Sequence, residues 1–171
     1  TKYADHIYLI LQPKQDMYLF PLESFRGEYG FPFAQTSVGA RFEMWRAAWM
    51  MFISKPLLGV GTGAYSAYAK EMVRKGEVAP IAGQFDHPHN DFMDAISTRG
   101  IVGLAALFLL FGAPALIFIK AKRAVSRAVN VAGLAGWILV LSFMIFGLTD
   151  TVLLHSFTID WYVVYVAVFM A

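Results

Sequence analysis

The sequence predicts a mainly α-helical membrane protein in which a water-facing half precedes a group of membrane-spanning helices. Hydrophobic residues make up 58% of the 171 residues and charged residues only 15%, whereas a soluble domain carries about 25% charged residues. The charges are also unevenly placed, because twenty of them lie in residues 1–100 and six in the remainder. This composition, with no cysteine, excludes a disordered chain and a disulfide-stabilised scaffold and argues against an ordinary cytosolic enzyme. A net charge of +2 gives no basis for nucleic-acid binding.

Three apolar runs define the predicted membrane region. The first, residues 101–119, has nineteen uncharged residues, and a helix of that length spans about 28 Å of the roughly 30 Å hydrocarbon core. Pro114 lies inside it and predicts a kink. The second run covers residues 128–149, and the third, residues 159–171, stops at the last residue and is too short to cross. Because the chain also begins without methionine, we expect it to be a fragment of a longer protein.

The loop between the first two runs predicts the orientation in the membrane. Residues 120–127 contain four basic residues and no acidic one, so the positive-inside rule places this loop in the cytoplasm. Residues 1–100 and the loop at 150–160 then face the periplasm, with the protein in a bacterial inner membrane. A soluble helical hairpin with a basic turn is the alternative, although buried soluble helices rarely run this long without a charge.

The outer half, residues 1–100, is expected to form a loop region with short helices. Residues 1–40 combine short apolar runs with Gly and Pro, which predicts a hairpin or an irregular loop. Residues 41–54 have helical periodicity and end before Lys55-Pro56. This helix could lie at the headgroup level or pack within the outer region, and a polar helix is predicted at residues 65–75.

A glycine-rich segment separates these two helices. Gly59, Gly61 and Ala64 fit the spacing of the dinucleotide fingerprint, but that motif needs a preceding buried strand, which the sequence does not provide. Two interpretations remain. The segment could be a turn at which two helices approach closely, or a cradle of backbone amides for a phosphate.

The residues most suited to chemistry lie immediately before the first apolar run. His87 and His89 stand beside three aspartates within residues 86–94, and three interpretations are open. Two imidazoles with a carboxylate could bind a divalent metal. One histidine could act as a general base at the membrane surface. The group could also be only a polar helix cap, for which Asn90 or Asp91 is suited.

Three blocks of sequence resemble the bacterial O-antigen ligase family, whose superfamily includes O-antigen polymerases and protein O-oligosaccharyltransferases. His89-Asn90, nine residues and then Gly100-x-x-Gly103 resemble its H-N-x9-G-x-x-G signature. The other two blocks are Arg41-x-x-x-Trp45-Arg46-Ala47-Ala48 with Pro56-Leu57-Leu58-Gly59-Val60-Gly61-x-Gly63, and Gly147-Leu148-Thr149-Asp150. Leu104-Ala105 stands where ligases proper have two threonines, which weakens ligase relative to polymerase.

The resemblance implies a GT-C-like membrane glycosyltransferase that works without metal or cofactor. Such enzymes move a finished glycan from undecaprenyl diphosphate to an acceptor hydroxyl, for example on lipid A-core, with inversion. His89 is then the expected base. Arg41, supported by Arg46, is expected to hold the diphosphate, because guanidinium matches phosphate oxygens. Asn90 or Asp150 would orient the His89 ring or contact substrate.

Several alternatives stay open at this level. Arg41 could instead reach to the lipid headgroups, and Asp150 could simply cap a membrane span. His155 and His6 belong to no motif. The chain could also be a non-enzymatic transport module, or a metal-dependent hydrolase that uses the histidines and aspartates before the first span.

Overall fold

The computed structural model describes residues 36–170, and within them all regular structure is helical, with no β-strand. This confirms the predicted mainly α-helical class. The predictions made for residues 1–35 lie outside the described part. In chain order the elements are α1 (Ser37–Ser54), α2 (Tyr65–Lys75), a 3₁₀ helix (Pro80–Gln84), α3 (Asp91–Ala121), α4 (Arg127–Gly147), a second 3₁₀ helix (Val152–Leu154) and α5 (Ser156–Met170).

Helix α1 begins one turn earlier than its periodicity predicts. The Thr36 hydroxyl caps it by accepting a hydrogen bond from the Gly39 amide at 2.9 Å. Its buried side follows a stripe of Met44, Ala47, Ala48 and Met51. This stripe packs on α2 and the first 3₁₀ helix, which favours the packed-helix interpretation over a helix lying only in the headgroups.

Helix α2 has the predicted bounds. It ends at Gly76, whose φ of 70° is the left-handed conformation that glycine supplies at a helix terminus. The Tyr65 hydroxyl donates a hydrogen bond to the carbonyl of Met44 at 2.9 Å, so α2 is tied to the middle of α1. Burial raises the pKa of Tyr65, which keeps the hydroxyl a donor.

Helix α3 contains the first predicted span but begins ten residues before it, at Asp91. The residue with non-helical backbone angles inside it is Gly100 (φ 65°, ψ −157°), whereas Pro114 stays in the helix. The predicted kink therefore falls at the start of the apolar run and not at the proline. Helices α3 and α4 are each long and apolar enough to cross a membrane, and α5 is a shorter apolar helix.

The glycine-rich segment docks on the break at Gly100. The amides of Val60 and Gly61 donate to the carbonyls of Ser97 and Thr98, both at 2.9 Å. Just beyond the break, two further amides donate back to carbonyls of residues 56 and 57. A Cβ at Gly100 would lie 2.6 Å from the Pro56 carbonyl oxygen, well inside van der Waals contact.

This contact decides between the two interpretations of the segment. The amide of Gly59 is also taken, by the carbonyl of Lys55 at 2.9 Å. The amides at residues 59–61 are therefore bound to backbone carbonyls and are not directed at a phosphate. The segment is a turn that lets two chain segments approach closely, as one of the two interpretations expected.

Helices α3 and α4 form a hairpin around the basic turn. Gly136 of α4 lies against the Phe118 ring, where a Cβ would come within 2.5 Å of the ring atoms, so glycine allows the close crossing. Helix α5 joins the pair through Tyr162, whose hydroxyl donates to the Leu110 carbonyl at 2.9 Å. The N-terminal ends of α3 and α5 and the C-terminal end of α4 lie at the segments of residues 86–90 and 148–155.

Candidate active site

The candidate site is formed where the segment before α3 meets the loop after α4. The Nδ1 atom of His89 lies 2.9 Å from Oδ1 of Asp150, although the two residues are 61 positions apart. The His89 side chain is 28% exposed and that of Asp150 is 53% exposed. Both are therefore accessible from outside the helices.

The carboxylate determines the tautomer that this pair favours. An ionised carboxylate can only accept hydrogen bonds, so Nδ1 of His89 carries a hydrogen, and in the neutral ring Nε2 keeps its lone pair. The hydrogen bond from His89 holds the pKa of Asp150 below its usual value, which keeps the carboxylate charged. In that tautomer Nε2 of His89 can accept a proton, and the carboxylate of Asp150 holds the orientation of the ring.

The backbone around His89 is held in an unusual conformation. His89 has a φ of 47°, in the left-handed region that residues other than glycine rarely adopt. The preceding Pro88 is buried, and its carbonyl accepts a hydrogen bond from Nε1 of Trp45 at 3.0 Å. Helix α1 therefore fixes this segment from one side, as expected where surrounding structure maintains local strain.

Asn90 fixes the segment from the other side. Its Oδ1 accepts hydrogen bonds from the amides of Phe92 and Met93, which confirms it as the N-cap of α3. Its Nδ2 donates to the carbonyl of Leu148 at 2.9 Å. Asn90 thus joins the segment that carries His89 to the loop that carries Asp150. Of the two residues expected to orient the His89 ring, Asp150 is the one hydrogen-bonded to it.

His87 lies beside the same pair. The rings of His87 and His89 are 4.4 Å apart between centroids. Nδ1 of His87 is 2.6 Å from Oδ1 of Asp86, and its side chain is 14% exposed. One ligand atom each from His87, His89 and Asp150 lies within 4.8 Å of the others, so these are the described residues that could hold a metal ion together.

Arg41, the cation expected to hold a diphosphate, is partly buried at the start of α1. It precedes Trp45 by four residues, so the two side chains are neighbours on one face of the helix, with Cβ atoms about 5–6 Å apart. Trp45 contacts the carbonyl of Pro88 from that face. Arg41 is therefore placed one helical turn from the residue that holds the His89 segment.

Arg46, the second expected cation, has a different environment. Its Nη1 is 3.6 Å from Oε2 of Glu43, and both side chains are only 6% exposed. The same Glu43 oxygen accepts a hydrogen bond from the Ala79 amide at 2.9 Å. Glu43 was not among the residues predicted from the sequence, although a glutamate three residues before an arginine in a predicted helix indicates such a pair.

A second set of polar side chains lines a cavity of about 330 Å³ between α3, α5 and the loop after α4. Asp91 accepts a hydrogen bond from the Leu153 amide at 3.2 Å, and Asp94 pairs with Arg99 at 2.5 Å. Leu107 and Leu110 form part of the apolar wall. Asp91 and Asp94 are two of the three aspartates that were possible metal ligands beside the histidines, but both line this cavity.

Comparison with known proteins agrees with the motifs. A family model described as O-antigen ligase matches residues 13–108, which is more than half of the chain. An uncharacterized protein of Haemophilus influenzae is 28% identical over 121 residues, which cover 71% of this chain. The matched part is 30% of that relative, so the chain spans less than a third of its length.

Proposed function

The chain belongs to the O-antigen ligase family, and from that premise we propose that it carries the acceptor-activating site of a membrane glycosyltransferase. The family implies lipid-linked glycan substrates and a membrane setting. The proposed donor is an undecaprenyl-diphosphate-linked glycan, and the proposed acceptor is a hydroxyl group on lipid A-core or on another glycan. The observation that carries the proposal is the 2.9 Å contact between His89 and Asp150 at the H-N motif.

In the proposed reaction His89 acts as the general base. Its Nε2 takes the proton of the acceptor hydroxyl while that oxygen forms a bond to the anomeric carbon of the donor glycan. The bond from this carbon to the diphosphate oxygen breaks, and the diphosphate leaves with the electron pair. Asp150 keeps the ring oriented and stabilises the imidazolium that forms. General-base catalysis of this kind contributes typically about 10²–10⁴-fold.

Arg41 is the proposed contact for the leaving diphosphate. A guanidinium can form two parallel hydrogen bonds to phosphate oxygens, and its charge offsets the charge that develops on the leaving group. The position of Arg41 one turn from Trp45 supports this role. Arg46 was expected to assist, but Glu43 already neutralises it. We therefore assign the direct contact to Arg41, with Arg46 reaching substrate only when the pair with Glu43 opens.

The proposed topology places this chemistry in the periplasm. Residues up to about 100 and the loop at 150–160 would face outward, and the basic loop at 120–127 would face the cytoplasm. Functional charges inside the spans would favour a transport module instead, but residues 101–119 and 128–149 contain none. O-antigen polymerase and protein O-oligosaccharyltransferase remain the alternatives within the superfamily, because these enzymes differ in their acceptor.

The test is glycan transfer by full-length variants in a strain that lacks the native protein. We expect His89→Ala to lower the rate about 10²–10⁴-fold and Arg41→Ala to lower it strongly as well. His155→Ala is the matched control, because His155 is exposed and lies in the same outer loop as Asp150. If both site variants transfer glycan at the control rate, the assignment is wrong. Parallel assays with core-lipid, repeat-unit and protein acceptors identify the subclass.

A further inference from the structure

We propose that His87, His89 and Asp150 form a binding site for a zinc ion, and that zinc bound there inhibits glycan transfer. The inhibition rests on the proposed role of His89 as the base, whereas the binding itself does not. The donor set is two imidazoles and one carboxylate, with one ligand atom from each within 4.8 Å of the others.

Binding one metal requires the three ligand atoms, now within 4.8 Å of one another, to close to the roughly 3.4 Å that tetrahedral zinc sets between its ligands. Zinc binds histidine nitrogen at about 2.0–2.1 Å and carboxylate oxygen at about 2.0–2.2 Å, in tetrahedral geometry. His89 and Asp150 are already 2.9 Å apart, and the two imidazole centroids are 4.4 Å apart. The Asp150 side chain is largely exposed and can turn toward an ion without disturbing a packed core.

The backbone that carries these ligands is already ordered. Between the two histidines, Pro88 has a fixed φ, is buried, and is bound by the indole of Trp45. Asn90 links the same segment to the loop that carries Asp150. The two chain segments therefore lose little conformational entropy when a metal binds, because the fold already holds them together.

The donor types select the metal. Imidazole nitrogens suit zinc and other late first-row ions, whereas Mg²⁺ prefers oxygen ligands and gives up its waters reluctantly. Asp86, whose carboxylate touches His87, supplies the kind of partner that orients a metal-bound imidazole. The fourth position is left to water.

Metal binding at either nitrogen of His89 removes the base. If zinc binds Nε2, it occupies the lone pair that would accept the hydroxyl proton. If it binds Nδ1, the ring proton moves to Nε2, which then has no lone pair to offer. Zinc also draws Asp150 away from its hydrogen bond with the ring. Glycan transfer therefore stops, although the position of Arg41 does not change.

Binding is measured first, on the full-length protein in detergent after removal of metals with a chelator. Calorimetric titration with zinc chloride should show one saturable site, and Co²⁺ bound there should give a visible spectrum typical of tetrahedral coordination. His87→Ala should weaken zinc binding by at least about tenfold. His155→Ala, the exposed histidine outside the cluster, should bind zinc as the wild type does.

Activity is measured second, as the ratio of transfer rates with and without zinc for each variant. We expect the wild type and His155→Ala to be inhibited at the zinc concentrations that fill the site, and His87→Ala to need at least about tenfold more. Mg²⁺ should not inhibit. The proposal is overturned if no saturable zinc binding is found, if His87→Ala binds zinc unchanged, if bound zinc leaves the rate unaltered, or if transfer requires zinc. If the protein binds zinc at this cluster but catalyses no transfer with any acceptor, the site stands, while the proposed function and the inhibition that rests on it fail.

Discussion

Replacing Gly100 by alanine tests whether the break in α3 depends on the close approach of the glycine-rich turn. The substitution acts in two ways. It places a side chain on a residue with φ of 65°, and it puts a Cβ 2.6 Å from the Pro56 carbonyl oxygen. The carbonyl of Leu57 would lie closer still, and ordinary contact begins at 3.4 Å, so the turn and the helix must separate by more than 0.8 Å.

The expected cost follows from these two effects. The backbone conformation of Gly100 (φ 65°, ψ −157°) is essentially restricted to glycine and costs a residue with a Cβ about 1–3 kcal/mol. A separation of this size lengthens the hydrogen bonds from the amides of Ile101 and Val102 to the turn, now 2.9 and 3.4 Å, beyond useful range. Each is worth about 1 kcal/mol. We therefore expect Gly100→Ala to lower the free energy of unfolding by about 3–5 kcal/mol.

Two other glycines separate the contributions. Gly76 also has positive φ, 70°, but has no atom within 4 Å of an added Cβ, so Gly76→Ala measures the cost of a Cβ at positive φ without a close contact. Gly112 is helical with equally open surroundings, so Gly112→Ala introduces neither the backbone cost nor the close contact. Thermal unfolding of the full-length protein in detergent, followed by tryptophan fluorescence, should rank Gly100→Ala as least stable, then Gly76→Ala, then Gly112→Ala. Equal melting temperatures for the first two would refute the close-approach explanation.

Three further substitutions test other parts of the site. Glu43→Ala should lower the free energy of unfolding by about 3–5 kcal/mol, because it leaves the Arg46 charge buried without its carboxylate. Denaturant unfolding should show a much smaller loss of this free energy for the double variant Glu43→Gln/Arg46→Met. Asp150→Asn should lower kcat more than it raises KM in steady-state transfer assays. Because the folded pKa of Asp150 is lowered, the stabilisation by its contact with His89 is present above pH 3.8 and is lost as the pH falls through the folded value. The melting temperatures of variant and wild type should therefore converge in acid. Trp45→Phe keeps an aromatic ring but removes the indole N–H that bonds to the Pro88 carbonyl. Denaturant unfolding should show a loss of at least about 1 kcal/mol in the free energy of unfolding, and kinetics should show a lower transfer rate under conditions in which the variant stays folded.

The bounds of a helix were predictable where a single property of the sequence, such as the absence of charge, determines them. An uncharged run of membrane length predicts a span, and α2 had the expected bounds because its polar composition and Gly76 mark both the helix and its end. The start of α3 was predicted only as one of three interpretations, a cap at Asn90 or Asp91, because charge was used as the boundary of the span. The helix continues past the apolar run to Asp91, since Asn90 caps it outside the predicted membrane region.

The site was predictable as a set of residues but not as a geometry. The H-N motif indicated His89, and the family resemblance added Asp150 as one of two possible partners. Which of them bonds to the ring depends on how the loop after α4 packs, and a contact between residues 61 positions apart leaves no local pattern in one sequence. The burial of Arg46 against Glu43 was not predicted for a related reason. A helical repeat shows which residues share a face but not what covers that face.

The docking of the glycine-rich turn on α3 also bears on the depth at which this protein can sit in a bilayer. A broken helix normally releases amides and carbonyls that only water can satisfy, which keeps such breaks away from hydrocarbon. Here the carbonyls of Ser97 and Thr98 and the amides of Ile101 and Val102 are all bonded to the turn. The break therefore leaves none of these four groups dependent on solvent. In the proposed function, this lets a lipid-linked donor approach the level of Gly100 from within the leaflet that holds it.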